Sequence, residues 1–156
     1  MKRLVTIAIV VAALGGVAGC GGEERVSNEE LSDRLASIGE RGGELWGRLA
    51  ERAQSLETDQ RLPDDVVQAL TELVAFQEQT VAELEALTPP EAAEEPIEML
   101  TEALRSRTEA FKQVIAAGHF TEQDSARVTQ AGEEIDEAFE QLRAGGFLPA
   151  TDDHQE

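Results

Sequence analysis

Apolar residues recur at helical spacing along four stretches of this chain, and each stretch is closed by a recognisable break. Leu31, Leu35, Ile38, Leu45, Leu49 and Leu56 repeat at the three- and four-residue intervals of one helix face and predict helix 1 over about 28–58. Ser27-Asn28-Glu29-Glu30 has the serine, and the glutamate three residues later, of a capping box. Pro63 suits a first helical position, with Asp64 and Asp65 near the positive end of the helix dipole. Val66, Val67, Leu70, Leu73, Val74, Val81 and Leu84 then mark helix 2 as far as Leu87, with Gln77 falling inside the stripe. Thr88-Pro89-Pro90 stops it, because the residue before a proline is pushed out of the α region. Glu91 to Glu95 is a short acidic connection. Pro96 starts helix 3, whose stripe is Ile97, Leu100, Leu104, Phe111, Val114 and Ile115 with Thr108 in line. It runs to Ala117 and is capped by Gly118. Thr121, with Asp124 following, caps helix 4. Val128, Ala131, Ile135, Ala138, Phe139 and Leu142 line its inner face, and Gly145-Gly146 ends it. Phe147 and Leu148 fold back onto the end of the helices, and 149–156 is a mobile acidic tail.

Four amphipathic helices with short connections, and no alternating strand pattern, predict an all-α fold: an antiparallel, up-down-up-down four-helix bundle over 27–148. Helix 1 carries Gly39, Gly42, Gly43 and Gly47. Each costs about 1 kcal/mol against alanine in a helix interior, so the helix weakens or kinks near Gly42-Gly43. Alternatively, Gly39, Gly43 and Gly47 share a face and let a neighbouring helix approach closely. The expected midpoints of all four helices are small or polar where a core layer is normally apolar: Gly42-Gly43, Gln77, Thr108 and Ala131-Gly132. They define a central polar layer or small pocket with Trp46 on its wall. The preferred, blander account is that Gln77 and Thr108 hydrogen-bond each other or lie at the edge of their stripes, since buried polar groups find structural partners.

Ahead of the helices lies a different pattern. Lys2 and Arg3 precede an apolar run from Leu4 to Leu14, followed by small residues to Gly19. That is the order of a secretory leader, and the run is too short for the ~20 apolar residues of a membrane span. It ends in Val17-Ala18-Gly19-Cys20, which contains the chain's one cysteine. These four residues resemble the lipobox of bacterial prolipoproteins. The resemblance implies a covalent diacylglyceryl group on the Cys20 sulfur and cleavage before Cys20, so that 1–19 is a signal peptide and 20–26 a lipidated cysteine with a short tether. It places the protein outside the cytoplasm, anchored to the outer face of the cell membrane or, in a Gram-negative envelope, to the outer membrane. A free thiol is an unusual thing to export, and two or three acyl chains make a stable anchor where one is reversible.

Charge narrows the partners. The 156 residues include 13 Lys and Arg against 32 Asp and Glu, and loss of Lys2 and Arg3 with the leader leaves a net charge of −21 on 137 residues. Nucleic acid is excluded as a partner, because its affinity rests on basic side chains neutralising phosphates. The membrane is met through the lipid, with the acidic domain held off an anionic surface. With Cys20 acylated there is no disulfide, so packing alone stabilises the domain.

Groups suited to catalysis or metal binding are few. His119 reads as a turn histidine, and His154 sits in an acidic tail without a rigid frame for a metal. Met99 fills space at the start of helix 3. The acidic runs 91–98 and 133–140 lack the alternating loop of a calcium site, and the second reads as the outer face of helix 4. No nucleophile and base are paired, so no enzyme, metal or dissociable cofactor is expected. The chain reads as an envelope protein-interaction module working through a helix face or Gly39, Gly43 and Gly47. The alternative is a lipid-anchored protein that binds a small molecule or cation at Trp46, Gln77 and Thr108.

Overall fold

A computed structural model of the chain describes residues 25–54 and 60–149. The leader, the lipobox with Cys20, residues 21–24 of the tether, Leu56 and the acidic tail with His154 lie outside the described residues. The described chain is all-helical: α1 spans Asn28–Ala53, α2 Asp64–Glu85, α3 Glu94–Ala117 and α4 Glu122–Ala144, with one 3-10 turn at Glu91–Ala93 before α3.

Helix starts depart from the sequence reading in instructive ways. Ser27 accepts a hydrogen bond from the Glu30 amide at 3.1 Å, but Glu30 does not return the favour. Its carboxylate pairs with Arg34 one turn on at 2.6 Å, so only half of the expected box forms. The reciprocal box is at α4, where the Asp124 amide donates to the Thr121 hydroxyl and the Thr121 amide donates to the Asp124 carboxylate, both at 3.1 Å. Helix α3 starts at Glu94, two residues before Pro96. Proline is tolerated there because amides of the first turn have no intrahelical partner. At the other end of α3, Gly118 adopts φ 74°, the left-handed cap that favours glycine. Helix α1 ends at Ala53, earlier than expected, but runs unbroken through Gly39, Gly42, Gly43 and Gly47. No break falls at Gly42-Gly43, because tertiary packing of Leu31, Leu35, Leu45 and Leu49 outweighs the intrinsic penalty of the glycines.

Asp124 offers a test of its cap. The Thr121 hydroxyl, donating at 2.6 Å, holds the Asp124 carboxyl below the ordinary carboxylate range; the Thr121 amide, Arg127 and His119 assist, and desolvation opposes them. A depressed folded-state pKa contributes stability that is full above the unfolded value and is lost as pH falls through the folded one. Thr121→Ala is therefore expected to cost about 1 kcal/mol at neutral pH. Urea denaturation should show that cost shrinking as acid protonates Asp124.

The core is divided in two. One apolar cluster joins Leu31 and Leu35 of α1, Leu84 of α2, Ile97, Leu100 and Leu104 of α3, and Ile135, Ala138 and Leu142 of α4, with Phe147 folded in from beyond α4. The other joins Leu45 and Leu49 of α1, Val66, Leu70 and Leu73 of α2, and Phe111 and Val114 of α3. Between them lie buried Gln77, Thr80 and Thr108. Helix α3 packs closely on α2 and α4, and α1 on α2, whereas backbone packing of α1 against α4 is sparse. At one end, the Val26 amide donates to the Thr88 carbonyl at 3.0 Å. Arg25 reaches the Pro89 carbonyl at 2.7 Å and the Glu94 carboxylate at 2.6 Å. The last two residues of the expected tether are thus docked on the α2–α3 connection. At the other end, Arg61 of the α1–α2 connection bridges His119 of the α3–α4 connection.

Candidate functional site

Gln77 and Thr108 meet, as their positions in the stripes of α2 and α3 suggest, and a third residue completes the contact. The Thr108 hydroxyl donates to the Leu104 carbonyl at 2.7 Å, the back-bond open to a helical threonine. Its one proton is then spent, so Gln77 must donate to it. With the amide turned that way, Gln77 Nε2 donates to Thr108 Oγ1 at 2.9 Å, and its Oε1 accepts from Arg107 Nε at 2.9 Å and Nη2 at 3.0 Å. Every polar atom of the Gln77 and Thr108 side chains is then engaged except one amide hydrogen.

Arg107 is the residue around which the site is built. Its guanidinium lies 5.4 Å from the centre of the Trp46 ring, and that ring sits 6.1 Å from Phe111 below it. Desolvation pushes the Arg107 pKa down to about 10, with Asp136 opposing the shift. The group stays charged at neutral pH. It makes no ion pair within 4.0 Å among the described residues.

Two hollows open on either side of Arg107, where α1 and α4 stand apart. One, of about 210 Å³, is lined by Ile38, Gly39, Gly42, Gly43, Phe76, Leu104, Ile135 and Phe139 among others. The second, of about 280 Å³, is lined by Val128, Thr129 and Gly132. Trp46, Arg107 and Asp136 line both. Trp46 is 41% exposed, an open position for a large apolar side chain.

The glycines divide differently from the sequence expectation. A Cβ placed at Gly39, Gly43 or Gly47 meets nothing within 4 Å, whereas one at Gly42 lies 3.3 Å from the Phe76 ring. No described helix makes a close approach at the strip formed by the first three, so the close contact on α1 belongs to Gly42 instead. Gly39 and Gly43 face the first hollow, beside Trp46.

Arg107 and Asp136 are the site residues that the sequence pattern does not single out. Arg107 stands three residues after Leu104, which is an inward position on α3, and that spacing is the available signal. Asp136 belongs by pattern to the solvated face of α4; it is exposed, but it borders both hollows. His119 Nδ1 lies 3.1 Å from the Ala117 carbonyl, a turn contact. Met99 is half-buried against the first apolar cluster. Among the described residues, no group of His, Cys, Asp and Glu could hold a metal ion, and no helix is long and apolar enough to cross a membrane. No family model matches the chain, nor does any curated protein or solved structure.

Proposed function

We propose that the chain is made as a prolipoprotein, is cut before Cys20, and serves as a lipid-anchored binding protein at the outer face of the membrane, without catalysis of its own. Leader, lipobox and lone cysteine support the anchor. The domain behind it is an antiparallel, up-down-up-down four-helix bundle over 27–148. The pairing of the α1–α2 with the α3–α4 connection, and of Val26 with the α2–α3 connection, supports that order. The acidic surface keeps the domain dispersed and off anionic lipid.

The observation that carries the binding reading is the open seam between α1 and α4. At its floor lies an arginine with no ion pair among the described residues, and on its wall a half-exposed tryptophan. Small-molecule sites are concave and mostly apolar with a few convergent polar groups, and this seam has that composition. A cation is a poor ligand for a hollow already occupied by a guanidinium. Docking of a partner protein's helix is the second reading, favoured by the uncovered strip at Gly39, Gly43 and Gly47.

Fractionation with a carbonate wash tests the anchor. Wild-type protein is expected to remain with membranes and to carry lipid mass on Cys20, while Cys20→Ser protein leaves with the soluble fraction. Cys20→Ser protein that still sediments after the wash would overturn the anchor. Native mass spectrometry of the extracted wild type then reads the seam: a small retained mass supports a ligand, a protein-sized one supports helix docking.

A further inference from the structure

We infer that the hollow between α1 and α4 receives an organic carboxylate with an apolar body, the carboxylate pairing with Arg107 and the body lying along Ile38, Leu104, Ile135 and Phe139. The inference rests on the binding reading above and supplies the chemistry of what is bound.

Arg107 is a half-buried charge on the wall of the hollow, without a counter-ion in contact among the described residues. Its Nε and Nη2 are held by the neutral oxygen of Gln77, which orients the guanidinium plane and leaves the Nη1 edge without an acceptor among the described residues. A cation partly withdrawn from water gains from an opposite charge that pairs with it. A carboxylate arriving at that edge supplies the charge and two acceptor oxygens in the geometry a guanidinium matches best. The walls suit the other end of such a molecule, because aliphatic and aromatic side chains of α1, α3 and α4 line the hollow on both sides. A volume of about 210 Å³ limits the body to a short or medium chain.

Two charges work against an anion here. The domain as a whole is strongly acidic, but salt screens that field over roughly 8–10 Å, leaving the local pairing decisive. Asp136 is closer. It borders the hollow and acts electrostatically on Arg107, though it stands beyond ion-pair distance, so it competes with the incoming carboxylate.

Trp46 is the chain's one tryptophan, so its fluorescence reports on this hollow. The experiment titrates the full mature chain carrying Cys20→Ser, and so free of lipid, with octanoate and with 1-octanol. Octanoate is expected to shift Trp46 emission saturably and to bind about tenfold tighter than octanol, or more. Arg107→Gln should remove that preference, and Asp136→Asn should tighten octanoate binding several-fold. Gly43→Leu places a side chain in the hollow from a position where a Cβ meets nothing within 4 Å. It should block both probes while leaving the helical circular dichroism unchanged, and so serves even where Arg107→Gln folds poorly.

Equal binding of octanoate and octanol by the parent chain overturns the inference. So does a preference for octanoate that survives Arg107→Gln, or binding that survives Gly43→Leu. If octanoate is inert while the membrane-extracted protein retains another mass, the carboxylate is wrong and the binding reading stands. If octanoate is inert and the extracted protein is bare, both fall.

Discussion

Gln77→Leu is expected to destabilise the domain by about 2–3 kcal/mol, although it places an apolar residue in an apolar stripe. Gln77 is fully buried, and a leucine there contributes favourable transfer energy. Against that gain stands the loss of the one acceptor that holds Arg107 Nε and Nη2. Desolvation of a charged donor without a partner outweighs the burial of a few methylene equivalents. Thr108 suffers little, because its hydroxyl keeps its bond to the Leu104 carbonyl. The double variant Gln77→Leu/Arg107→Met should therefore recover most of the loss or exceed the parent, as replacement of a buried polar network by apolar residues commonly does. Urea denaturation of both singles and the double gives the coupling directly. A neutral or stabilising Gln77→Leu single would show that Arg107 does not depend on Gln77.

The glycine strip of α1 predicts an effect of similar size and opposite sign. Gly39→Ala, Gly43→Ala and Gly47→Ala together should stabilise the domain by about 2–3 kcal/mol, because each removes the helix-interior penalty of glycine where a Cβ meets open space. Gly42→Ala should gain little, because its methyl group forces the Phe76 ring to give way from 3.3 Å. Thermal or urea melts of the four single variants and the triple check both statements. No gain from the triple would mean that something covers the strip in the folded protein.

These residues also mark how far the sequence can be read. The stripes through Leu31, Leu70, Leu100 and Leu142 are legible because a helix's buried face is written locally, at fixed spacing. Gln77 and Thr108 are legible as interruptions of such stripes. Arg107 is not, since an arginine near the edge of a stripe reads as solvated; its burial depends on how α2, α3 and the ring of Trp46 close over it, which is a non-local property. The same holds for the glycines. Their spacing declares a smooth strip on α1, but the gap beside it arises because α1 packs on α2 while α4 packs on α3. At Ser27, the box fails for a local reason that composition conceals: Arg34 lies one turn beyond Glu30 and takes its carboxylate.

The contacts of Arg25 and Val26 have a mechanical meaning. A pull applied to the chain ahead of Arg25, as the proposed lipid on Cys20 would apply it, would be borne first by the Val26–Thr88 hydrogen bond and by the grip of Arg25 on Pro89 and Glu94. Only past those points would it reach the first turn of α1. The load would be shared between α1 and the α2–α3 connection, and the wall of the seam would be spared the strain of being pulled by its own end.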